Sequence, residues 1–118
     1  MRSVERKYTS IFNVLEVCGI ASFNLSDGEV EKLFREFHKK YDLEVVYPST
    51  NFLSVEEFVE DMVSRTFEKI KTKINFSDAI ILLIAEECGS EYFVTWNTGH
   101  FKNRTYIDVL NPREYLSK

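Results

Sequence analysis

The chain has 118 residues, 44% of them apolar, which is enough for one ordinary core and points to a single domain over residues 1–118. Its net charge of −4 argues against broad electrostatic binding of nucleic acid, and no run of 18 apolar residues offers a membrane span. The start, Met1-Arg2-Ser3-Val4-Glu5-Arg6-Lys7, is charged and lacks an apolar leader, so a cytoplasmic protein is expected. Cys18 and Cys88 each precede a glycine and have no metal-binding spacing, so both are expected as buried, reduced thiols.

In chain order, Lys7-Tyr8-Thr9 reads as a short strand, and Ser10 caps a helix expected to run to about Cys18, with Gly19 as its stop. Ser26-Asp27 opens a second helix, in which Val30, Leu33, Phe34 and Phe37 recur at helical spacing and Asp42 closes the segment. Residues 43–47 are a β-branched strand ended by Pro48. Ser54 with Glu57 has the form of a capping box before a long amphipathic helix. Its inward positions are expected to be Val55, Phe58, Val59, Met62, Val63, Phe67 and Ile70, with Asn75 as the break. Ser77 is expected to cap the next helix. Its run Ala79-Ile80-Ile81-Leu82-Leu83-Ile84-Ala85 is apolar on every side and must be buried. Gly89 ends it, residues 92–96 and 106–110 read as strands, and Pro112 opens a short last helix. Helices and strands alternate, so the fold class is α/β with a mostly parallel sheet flanked by helices.

Two basic runs stand out. Lys69, Lys71 and Lys73 fit a solvated helix end, whereas Lys102 and Arg104, close to Asn97, are the better candidates for touching a phosphate. Four other residues are candidates for chemistry: Glu16, Asp78, Asn97 and His100. Glu16 is an acid in a mostly apolar helix. If buried it needs a cation; otherwise it lies on an exposed stripe. Asp78 begins the buried helix, where an acid is also favoured simply by the helix dipole. Asn97 stands where a strand runs out, a place where ligand chemistry collects in parallel α/β proteins and where Asn also serves as a turn residue. His100 reads equally as packing or capping. His38 lies on the polar side of its helix, so no histidine pair has zinc spacing.

Taken together, Thr9-Ser10 before the Glu16 helix, Phe76-Ser77-Asp78-Ala79, Thr95-Trp96-Asn97 and His100-Phe101, and Asn111-Pro112 resemble the PIN domain, the fold of many prokaryotic toxin ribonucleases. The resemblance covers residues 7–116 and is most specific over residues 77–101. It implies a three-layer α/β domain that binds Mg²⁺ or Mn²⁺ through acids at the carboxyl edge of a parallel sheet and hydrolyses RNA. Hard cations want oxygen ligands, and a metal can activate water and stabilise charge on a phosphate. Carried over by position, Glu16 and Asp78 match two of the metal-binding acids. Asn97 stands where a further acid is common, and His100-Phe101 matches a recurring structural pair. The resemblance also implies an antitoxin protein partner and a homo-oligomer.

PIN domains begin with a strand that ends in an aspartate and lies centrally in the sheet. No such strand precedes Lys7, so the first central strand is missing from this chain and the domain is read as N-terminally incomplete. Its absence should leave two half-sheets without their shared neighbour. Three explanations stand side by side: a start placed too late, a truncated remnant without activity, and a strand supplied by a neighbouring chain. A non-catalytic interaction or oligomerisation module is the alternative to the ribonuclease. A likeness to α/β architecture alone is the third reading.

Overall fold

The computed structural model describes residues 6–49, 51 and 54–118; the charged start over residues 1–5 lies outside them. The chain divides into two compact units, Met1–Tyr47 and Pro48–Lys118. Both are α/β, and the expected parallel pairing holds in both.

The first unit runs β1 (Tyr8–Ser10), α1 (Ile11–Ala21), α2 (Asp27–Lys40) and β2 (Glu44–Val46). Ser10 ends the strand and starts the helix: its hydroxyl accepts the Asn13 N–H at 3.1 Å. The expected stop at Gly19 does not occur, and α1 continues to Ala21. A helical glycine costs only about 1 kcal/mol. Here the next turn recovers its bonds, with the Ser22 N–H reaching the Cys18 carbonyl at 2.9 Å and the Ser22 hydroxyl donating to Gly19 at 2.7 Å. At the start of α2 the Ser26 hydroxyl accepts the Glu29 N–H, and the Glu29 carboxylate accepts the Ser26 N–H. Asp42 adopts φ 51° and turns the chain into β2. There the register is Tyr8 with Glu44, Thr9 with Val45 and Ser10 with Val46, all parallel. Val14, Cys18 and Phe37 form the core, closed by Ile11, Val30, Leu33, Leu43 and Val45, while Phe34 stays exposed.

The second unit runs α3 (Val55–Ile70), α4 (Phe76–Glu87), β3 (Tyr92–Val94), α5 (Thr98–Phe101), β4 (Asp108–Leu110) and α6 (Pro112–Leu116). The Ser54 hydroxyl caps α3 by accepting the Glu57 N–H. That helix stops at Ile70, before Asn75; Lys73, at φ 69°, turns the chain. Asn75 does not end α3 but caps α4, in the place expected of Ser77. As expected, α4 is the buried element: Ala79, Ile81, Leu82, Leu83 and Ile84 are all buried. Gly89 ends its turn at φ +67°, a conformation glycine adopts without a Cβ penalty. β3 and β4 pair in parallel, Tyr92 with Asp108, Phe93 with Val109 and Val94 with Leu110. Ile74, Ala79, Leu82, Phe101 and Val109 make the core, with Phe93 against it. The single turn α5 was not legible in the sequence. It is fixed by Phe101, which is 4% exposed and packs at a tilt against Phe93 with ring centroids 4.5 Å apart.

The rotation of α3 departs most from expectation. Phe58 and Met62 are half-buried, but Val55, Val59, Val63 and Phe67, expected inside, are 79, 50, 64 and 58% exposed. The face turned toward α4 carries Arg65, buried Thr66 and Lys69. Arg65 pairs with Glu87, whose other oxygen accepts the Ser49 N–H at 2.9 Å. Lys69 donates to Glu86 at 2.6 Å and to the Arg104 carbonyl at 2.8 Å. The two carboxylates closing α4 are largely removed from water and so demand cations; Arg65 and Lys69, one turn apart, meet both only in this rotation. Lys69 is therefore not the solvated helix-end residue that its run suggested.

Candidate functional site

Asp78 lies in the first turn of α4, where the helix dipole favours a negative charge. Its backbone N–H donates to Asn75 Oδ1 at 2.9 Å, and the Asn75 side-chain amide donates back to Asp78 Oδ2 at 2.9 Å. Ser77 Oγ also donates to Asn75 Oδ1, at 3.3 Å. Asn75 thus caps the helix and orients the carboxylate with the same side chain.

The second partner of Asp78 comes from α5. His100 Nδ1 lies 3.3 Å from Asp78 Oδ2, with the Asp78 side chain 18% exposed and the His100 side chain 59% exposed. The anchor for this contact is the next residue: Phe101 is locked in the core, and the one-turn helix carries His100 with it. His100 is therefore a partner of the candidate acid. The His100-Phe101 pair after the strand was the sequence signal for it.

Asn97 occupies the N-cap position of α5, exposed, with its backbone N–H donating to Thr95 Oγ1 at 3.1 Å. Beside it, Trp96 is 70% exposed. Arg104, expected free for a phosphate, donates from Nε to the Thr72 carbonyl at 2.9 Å and from Nη1 to the Gly99 carbonyl at 3.1 Å. Its charge is spent tying the turn after α3 to α5, which leaves Lys102 as the exposed member of that pair.

Glu16 belongs to the first unit, on the exposed side of α1 with Leu15 and Val17. It is not a buried acid in need of compensation. Cys18 is buried and Cys88 is exposed, so the expectation of two buried thiols holds for Cys18 only.

Glu86 and Glu87 are the acids the sequence did not single out. Glu86 accepts from Lys69 and from the Thr105 hydroxyl at 2.7 Å, and Glu87 accepts from Arg65 and Ser49. Burial works against the Arg65 charge, but the Glu87 and Asp61 carboxylates outweigh it and hold the guanidinium above its usual range. All these groups are matched, which marks the cluster as a fastening between α3, α4 and the segment before β4.

Mg²⁺ wants six oxygens in near-octahedral array, one or two of them from carboxylates and the rest from water or phosphate. Asp78 offers one carboxylate, with Oδ2 already shared by Asn75 and His100. Among the described residues no group of three or more His, Cys, Asp or Glu side chains is placed to hold a metal ion. Within its unit, Asp78 does not by itself fit a chelated Mg²⁺. No helix among the described residues is long and apolar enough to cross a membrane. Comparison with known proteins finds no family model, no curated protein and no solved structure that matches this chain.

Proposed function

We infer that this chain is a PIN-like domain of the metal-dependent ribonuclease family, acting in the cytoplasm on RNA as the toxin of a toxin–antitoxin pair. The observation that carries the reading is the strand arrangement. A PIN sheet is built of parallel strands, and each unit holds one parallel pair, β1 with β2 and β3 with β4. A carboxylate at the start of the buried helix, oriented by Asn75 and His100, is the second support.

In this reading Asp78 is an acid for Mg²⁺ or Mn²⁺, and Asn97 is a polar group without charge. The ion would activate water and stabilise charge on the phosphate. Asp78 supplies one oriented carboxylate, and so by itself binds the ion weakly. Mn²⁺ titration followed by paramagnetic broadening should show millimolar-range binding (roughly 1 mM or weaker) centred on Asp78. Tight binding that survives Asp78→Ala would place the site elsewhere. Cleavage of single-stranded and structured RNA should require Mg²⁺ or Mn²⁺ and be lost in Asp78→Asn.

The second reading is a non-catalytic interaction module. It is favoured by the engagement of Asp78 Oδ2 and by the small strand pairs, in which every described strand has a single sheet neighbour. Absence of metal-dependent cleavage by the folded chain would select it.

A further inference from the structure

We propose that Trp96 is a stacking platform for an unpaired base, so that the Asp78 face takes single-stranded RNA and turns duplex away. The inference rests on the ribonuclease reading and deepens it by naming a positioning residue. Trp96 is the single tryptophan of the chain, follows β3 and is 70% exposed. Phe76 opens α4 and is 64% exposed. The 3.3 Å contact between Asp78 and His100 draws the starts of α4 and α5 together, and each ring lies within four residues of it along the chain. The second unit exposes two further aromatics among its described residues, and both are engaged. The Tyr106 hydroxyl donates to the Glu86 carbonyl at 3.2 Å, and Lys71 Nζ lies 5.8 Å from the centre of the Phe67 ring. Phe76 and Trp96 instead stand between polar neighbours, Asn75 and Ser77 around one, Thr95 and Asn97 around the other. A lone aromatic face with polar groups at its edge suits a flat ring whose own edge is polar. Every nucleobase is such a ring, and pairing in a duplex hides its face.

The cations near the rings fit a phosphate backbone. Arg104, through the Thr72 and Gly99 carbonyls, holds the turn after α3 against α5. Exposed Lys73 lies in that turn, and exposed Lys102 directly follows α5. The acids of the same region are engaged: Glu68 with Lys71 at 3.0 Å, Glu86 with Lys69 at 2.6 Å, and Asp78 with Asn75 and His100. On a chain of net charge −4, two lysines do not hold RNA by attraction alone, so stacking supplies the larger share. The exposed Asn97 side chain, next to Trp96, has both a donor and an acceptor for a base edge.

As the only tryptophan, Trp96 reports its own occupancy by fluorescence. The full 118-residue chain is titrated in EDTA, so that nothing is cleaved. The probes are a short mixed-sequence single-stranded oligoribonucleotide, the same strand in a perfect duplex, and phosphatidylglycerol vesicles. The expected result is saturable quenching of Trp96 emission by the single strand alone. By anisotropy of the end-labelled strand, Trp96→Ala should bind about 10- to 100-fold more weakly, and Trp96→Phe should recover most of the loss. The circular dichroism spectrum should be unchanged, because the side chain is exposed. Lys102→Ala should weaken binding less and flatten its salt dependence by about 0.7 in log–log slope. No binding of the single strand, equal quenching by the duplex, quenching by vesicles alone, or a Trp96→Ala variant that binds like the unaltered chain overturns the proposal. Quenching without metal-dependent cleavage keeps the stacking platform and sinks the ribonuclease reading. Metal-dependent cleavage that Trp96→Ala leaves untouched does the reverse.

Discussion

His100 Nδ1 lies 3.3 Å from Asp78 Oδ2, a contact between a one-turn helix after β3 and the first turn of α4. It joins two segments that share a core through Phe101 and Ala79. With His100 more than half exposed, the pair should be worth little: about 0.5 kcal/mol by urea denaturation of His100→Ala. Replacing Phe101 with Ala should cost about 3–5 kcal/mol, because the core residue positions the histidine and not the reverse. A His100→Ala loss above 2 kcal/mol would contradict that order.

The cap of α4 gives a sharp contrast between neighbours. Asn75→Ala removes the acceptor of the Asp78 N–H and the donor to Asp78 Oδ2, and should cost about 1 kcal/mol. Ser77→Ala removes only a 3.3 Å exposed contact and should change stability by no more than a few tenths of a kcal/mol. Equal losses in thermal denaturation would return the cap to Ser77.

Two ion pairs should differ by their surroundings. Lys69→Met leaves the largely buried Glu86 carboxylate with the Thr105 hydroxyl alone, and a loss of about 2–3 kcal/mol is expected. Arg6→Ala opens an exposed pair with Glu44 and should cost about 0.5 kcal/mol or less. Chemical denaturation of both variants checks the difference. The Lys69 change should also loosen α3, seen as faster amide hydrogen exchange along it.

The Glu29 carboxyl is held below the ordinary glutamate range, first by the Ser26 backbone N–H and then by its hydroxyl. A group with a depressed folded value adds stability that is present above its unfolded value and lost as pH falls through the folded one. The start of α2 should therefore loosen only on acidification into and below the ordinary glutamate range. Carbon-detected NMR titration should find Glu29 titrating below the ordinary glutamate range. Ser26→Ala should move it part of the way back, because the backbone donor remains.

Leu82 is fully buried at the centre of α4, so Leu82→Ala should cost about 2–5 kcal/mol. The same change at exposed Val63 should cost under 1 kcal/mol. Equal effects would mean that α3 is rotated from the arrangement described.

The sequence by itself determined the features that act within one helical turn or one burial pattern. Ser10, Ser26 and Pro112 start helices where they were expected to, because each satisfies or forgoes a local N–H. The all-apolar run of α4 is buried because no face of it could meet water, and Gly89 ends it by its free φ. Tertiary structure decided the rest. The period of α3 is equally satisfied with its apolar row inside or outside, and Glu86 and Glu87, 17 and 22 residues from their cations, settled it. Arg104 was drawn to the carbonyls of Thr72 and Gly99, and His100 to Asp78, by partners the chain brings close only once folded. A carboxylate withdrawn from water takes the nearest cation that packing allows, and that choice cannot be read from spacing along the chain.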